Sequence, residues 1–88
     1  MSPVLIERRE DVCRGSPIIK GTRIRVADVV RYYRLLAREM VIERIVQALP
    51  HLTPEQVRAA LDYYDRHRYE IERELREEDR LFAEHGEP

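Results

Sequence analysis

Hydrophobic residues change their spacing along this 88-residue chain, and the change marks where strand gives way to helix. Val4, Leu5 and Ile6 form a short apolar run suited to a strand, followed by a polar connection over residues 7 to 11. Pro17-Ile18-Ile19-Lys20 then leads into Gly21-Thr22, after which Ile24 and Val26 alternate with Arg23 and Arg25. Period-two alternation around a Gly-Thr corner predicts a small β-hairpin whose outer edge carries Lys20, Arg23 and Arg25. Neither Gly15 nor Gly21 follows a long strand and opens a helix, so a nucleotide-phosphate cradle is excluded.

Beyond the hairpin the period becomes helical. Val26, Val29, Val30, Tyr33, Leu36 and Ala37 recur at three and four and define one apolar face. Arg31, Arg34 and Arg38 fall within roughly 60° of one another on the opposite side, at about 100° per residue. Val41, Ile42, Ile45, Val46 and Leu49 form a second apolar face that ends at Pro50. The intervening Ala37-Arg38-Glu39-Met40 holds no Gly, Pro, Asn or Ser, so local rules accept either one helix over 27–49 or two.

The next start is unambiguous: Thr53 suits an N-cap, Pro54 the first helical position, and Gln56 stands in capping-box spacing. From there Val57, Leu61, Tyr64, Ile71, Leu75 and Phe82 follow alternating steps of four and three, with Arg68 and Glu78 in the two intermediate places. No breaker occurs before Gly86. One helix of about thirty residues would span roughly 45 Å and project from a compact domain. The expected architecture is therefore mainly α: a small N-terminal β-hairpin, a helix-turn-helix-like domain over residues 1–65, and a projecting helical extension over 66–88. Its seam of Ile71, Leu75, Leu81 and Phe82 calls for a second polypeptide.

Composition narrows the function. With 38% charged and 43% apolar residues the chain is too apolar to be wholly disordered and too broken by charge to span a membrane. No basic region leads into a long apolar run at the N-terminus, which places the protein in the cytoplasm. The lone Cys13 cannot form an internal disulfide, and three scattered histidines lack metal-ligand spacing, so neither metal nor cofactor is expected. The acids after residue 54 have no histidine cluster beside them, and no catalytic residue is assigned. Charge is segregated: residues 1–44 hold ten Lys or Arg against six Asp or Glu, and residues 45–88 hold six against eleven. Such a split suggests two surfaces for two kinds of partner.

The order Pro17-Ile18-Ile19-Lys20-Gly21-Thr22-Arg23-Ile24-Arg25-Val26, then a helical pair, then the run from Leu49-Pro50-His51-Leu52-Thr53-Pro54 to Leu61-Asp62-Tyr63-Tyr64, resembles the family called domain of unknown function 433. The resemblance extends over roughly residues 5 to 75. It implies a homeodomain-like helix-turn-helix and a VapB-type antitoxin, commonly encoded beside a PIN-like ribonuclease toxin. This chain departs from the family at the corner between the first two helices. Glu39-Met40-Val41-Ile42 stands where a Gly-x-Ser-Pro type of corner is usual, which leaves the form of that turn open.

Two site assignments follow. Promoter DNA would meet Lys20, Arg23, Arg25, Arg31, Arg34 and Arg38, whose cationic side chains suit phosphate oxygens, with Gln56 and Arg58 at the flanks of the third helix. The resemblance implies a toxin whose metal-binding carboxylates attract guanidinium groups. Arg73, Arg76 and Arg80 are the candidates to meet them, anchored by Tyr64, Ile71, Leu75, Leu81 and Phe82. A homodimer is expected, and the alternative to an antitoxin is a stand-alone dimeric transcription regulator or adaptor, paired through the same seam.

Overall fold

The computed structural model describes residues 5–36 and 39–85. Two short strands, β1 (Ile6–Glu7) and β2 (Ile18–Ile19), pair antiparallel with Ile6 opposite Ile19 and Glu7 opposite Ile18. The other edge of β2 takes the segment expected as its hairpin partner. The Ile19 N–H donates to the Ile24 carbonyl at 2.8 Å and the Val26 N–H to that of Pro17 at 2.9 Å. Thr22 closes the corner, its hydroxyl donating to the Ile19 carbonyl (2.8 Å) and accepting from the Ile24 N–H (3.0 Å). Gly21 sits at φ 80°, where a side chain would be strained. The hairpin is shorter than its sequence pattern predicts: Arg25 bridges to Ile18, but Val26 already opens a helix. Asp28 decides this, since its carboxylate accepts the Arg25 N–H at 3.0 Å and so satisfies a helix-end donor.

Helix α1 (Val26–Leu35) buries Val26, Ala27, Val29 and Val30. Helix α2 (Val41–Ala48) follows Met40, which adopts the left-handed conformation (φ 58°, ψ 38°). Of the two arrangements open in the sequence, the broken one is found, and Met40 makes a backbone corner without glycine. Arg38 lies outside the described residues. Helix α3 (Pro54–Arg66) starts where its signals place it: the Gln56 N–H donates to the Thr53 hydroxyl (3.2 Å) and the Thr53 N–H to the Gln56 side-chain oxygen (2.8 Å). Ile45, Val57, Ala60 and Tyr64 close one core with α1.

The single projecting helix expected from residue 54 onward is not what forms. Helix α3 ends at Arg66, His67 leaves helical geometry (φ −130°, ψ 43°), and α4 (Arg68–His85) folds back over α1. The His67 N–H is shared between the carbonyls of Tyr63 and Tyr64 at 2.9 and 3.1 Å, and its ring stacks on Tyr63 at 4.0 Å. Burial drives the bend. Ile71 is 0% and Leu75 1% exposed, which is worth about 1.5–3 kcal/mol each. Each helical hydrogen bond forfeited at the bend costs only about 0.5–1.5 kcal/mol. The radius of gyration is 13.2 Å, near the roughly 12–13 Å of a compact domain this size.

Candidate interaction surface on α1 and α4

Helix α4 packs against α1, and opposite charges of the two helices meet there. Near the start of α1, Arg25 bonds Asp28 at 2.7 Å, pairs with Glu78 and lies 3.7 Å from Glu74. One face further along, Arg31 pairs with Glu78 at 2.9 Å and Asp79 at 3.1 Å. Towards the end of α1, Arg34 pairs with Glu72 and donates to the Tyr64 hydroxyl at 3.3 Å, while that hydroxyl donates to Glu72. Beside these pairs Arg8 joins β1 to α4 through Glu70 and to α3 through the Tyr63 hydroxyl (3.0 Å).

The pairing shows in the acidities. Hydrogen bonding from Arg34, then from Tyr64, holds the Glu72 carboxyl below its ordinary value. Burial is the largest single influence on Glu78 and pushes it up, but hydrogen bonds from Arg25 and Arg31 together outweigh it and the net shift is downward. The guanidinium of Arg25 is held above its usual range, chiefly by Asp28. Glu74 is less well served: Ser16 donates to one oxygen, and the buried Oε1 has no hydrogen-bond partner among the described residues.

These contacts correct the expected DNA-binding set. Arg25, Arg31 and Arg34 do not form an open basic stripe, because carboxylates of α4 lie against all three. Gln56 is occupied in the cap of α3 and is not free to read a base. Lys20 and Arg23 remain exposed on the turn after β2, and Arg58 is exposed on α3.

The partner-binding set is split in two. Tyr64, Ile71 and Leu75 belong to the core of the chain itself, so they cannot anchor a second polypeptide while α4 is docked. Arg73, Arg76 and Arg80 stay outside, with Arg80 paired to Glu77. Leu81 (43% exposed) and Phe82 (76%) extend past the covered turns. Tyr69, 74% exposed, escaped the sequence reading. It falls within roughly 60° of the three arginines at about 100° per residue, so its spacing from them was the available signal.

Between α4 and the loop before β2 lies an open cleft of about 830 Å³, lined among others by Arg14, Ser16, Arg73, Glu74 and Leu81. Cys13, Arg14 and Gly15 on its wall all have positive φ (50°, 55° and 81°), and the Cys13 thiol donates to the Arg23 carbonyl at 3.4 Å. No group of three His, Cys, Asp or Glu among the described residues is placed to hold a metal ion, and no described helix is long and apolar enough to cross a membrane.

A helical core with a two-stranded β-ribbon at its N-terminus and a charge-paired fourth helix defines a small, mainly helical domain. The chain belongs to the DUF433 family, described as a protein of unknown function, whose model matches residues 6–64. The match ends at Tyr64, so α4 lies beyond it and the segment is shorter than the resemblance read from the sequence. No curated protein and no solved structure matches the chain.

Proposed function

We propose that this protein is the antitoxin of a toxin–antitoxin pair and neutralises a PIN-like ribonuclease through α4, with promoter DNA as a second partner. The observation that carries the reading is the outer face of α4. Arg73, Arg76 and Arg80 stand exposed there beside Tyr69, and Leu81 and Phe82 remain uncovered at its end. A cationic row next to an apolar tip suits a partner with an acidic pocket and an apolar rim, because charge pairs direct encounter and buried aromatic or aliphatic anchors hold it. The contact differs from the arm expected in the sequence. Ile71 and Leu75 hold α4 to its own domain, and the toxin meets a docked helix from outside. The homodimer expected through the same seam loses those two residues as well.

Co-expression with a PIN-like nuclease, where one is found encoded beside it, tests the proposal. The triple variant Arg73→Ala, Arg76→Ala, Arg80→Ala keeps the fold, since none of the three enters the core, and releases the toxin's growth arrest. Full neutralisation by the triple variant and by Phe82→Ala would remove α4 from the mechanism, and absence of any such nuclease partner on purification from the host would remove the function.

A further inference from the structure

Arg31 and Arg34 lie about 60° apart on one side of α1 at about 100° per residue, and Arg25 stands at its N-cap. Glu72, Glu74, Glu78 and Asp79 of α4 supply pairs to all three, leaving none of them without an α4 carboxylate. We propose that α4 masks a surface of α1 that fits the phosphate backbone of duplex DNA, its carboxylates standing where phosphates would.

Three observations support masking by charge above masking by bulk. The side chains of Arg31 and Arg34 are 41% and 47% exposed, so a phosphate can reach them while α4 stays docked. Half-exposed ion pairs contribute little to stability, whereas a phosphate contact also releases condensed counterions. The buried Oε1 of Glu74 has no hydrogen-bond partner among the described residues, which marks this contact as something other than an optimised core one. Lys20 and Arg23 are exposed on the turn that precedes α1 and add cations on that side of the sequence. The inference deepens the antitoxin reading by giving its second partner a masked site, and it rests on that reading for its biological use.

The test needs no toxin, so its failure is separable from failure of the neutralisation experiment. Glu72→Gln, Glu74→Gln, Glu78→Gln and Asp79→Asn together remove the charges and leave Ile71 and Leu75 in place. Binding to a duplex of about 25 base pairs is measured from 50 to 200 mM salt. The expected result is at least a tenfold gain in affinity at 50 mM salt over the unaltered protein, with a log–log salt slope steeper by about two to three, near 0.9 for each phosphate engaged. Adding Arg31→Gln and Arg34→Gln removes most of the affinity gain and about 0.9 of slope for each of the two.

A control of equal net charge, Glu43→Gln, Glu55→Gln, Asp62→Asn and Asp65→Asn, should gain under threefold. If the fourfold variant does not fold, Glu72→Gln with Asp79→Asn, which removes one carboxylate from each of Arg34 and Arg31, gives the same ordering. Equal gain in the control, gain that survives loss of Arg31 and Arg34, gain for single-stranded RNA but not duplex DNA, or no gain would each overturn the proposal.

Discussion

Shortening Leu75 separates a docked α4 from a projecting one. Leu75 is 1% exposed and sits with Ile71 in the same core cluster as Val30 and Val57. Leu75→Ala therefore removes buried methyl groups and leaves a cavity that flanking helices fill only in part, a loss of about 2–5 kcal/mol. A domain of this length has roughly 5–10 kcal/mol of net stability, so the variant still folds. With a urea dependence near 1.5 kcal/mol/M, a loss of about 3 kcal/mol moves the unfolding midpoint down by about 2 M. Phe82→Ala supplies the comparison. Phe82 continues the same side of the helix but is 76% exposed, so its removal should change stability by less than about 0.5 kcal/mol. Circular dichroism during urea titration reads both. Leu75→Ala with a midpoint unchanged, or the two variants shifted alike, would refute a folded-back α4.

Two further outcomes follow from local chemistry. Thr53→Ala deletes the hydroxyl that accepts the Gln56 N–H and should cost about 1 kcal/mol in the same titration; a cost below about 0.3 kcal/mol would mean that the cap does not hold the start of α3. Glu72 and Glu78 have folded acidities below the ordinary 4.5, so their stabilisation is complete above that pH and is lost as pH falls through the lowered values. Stability measured between pH 3 and 7 should fall on the acid side, less steeply in Glu72→Gln, and an identical acid limb in that variant would count against the Arg34–Glu72–Tyr64 cluster.

Much of the fold was legible because it rests on local signals. Thr53, Pro54 and Gln56 placed the start of α3, and the Gly21-Thr22 corner placed the turn after β2. The break at His67 was not legible, since neither Gly nor Pro marks it. Its cause is tertiary, the burial of Ile71 and Leu75 against α1. One trace was present: Arg68 occupies a place that a straight apolar stripe would give to a core residue, and in the fold it lies over the Tyr64 ring at 5.1 Å. Met40 shows the limit of residue-type rules at corners, because a left-handed conformation there needed context that the sequence does not display. At the candidate site the sequence identified the arginines of α1 but not their partners, for the carboxylates stand 38 to 53 positions away. The charge asymmetry between the halves is thus in part self-complementary.

Which face of α4 a partner takes decides whether protein binding and DNA binding are coupled. Opposite charges between α1 and α4 are not required to hold the helices, because apolar side chains of similar volume do so at least as firmly. Ile71 and Leu75 already provide that hold. A partner resting on Tyr69, Arg73, Arg76 and Arg80 leaves these two buried and the mask intact, so it binds independently of DNA. A partner that also captures Ile71 and Leu75 must replace their burial, about 3–6 kcal/mol for the two, and in lifting α4 it frees Arg25, Arg31 and Arg34. Reciprocity then requires that DNA strengthen the partner's binding by the same factor that the partner strengthens DNA binding, once direct contact between the two ligands is excluded. The outer-face geometry predicts a factor near one, measured as the partner's dissociation constant with and without a saturating 25-base-pair duplex. A factor above about ten in both directions would show instead that α4 leaves the domain when the partner binds.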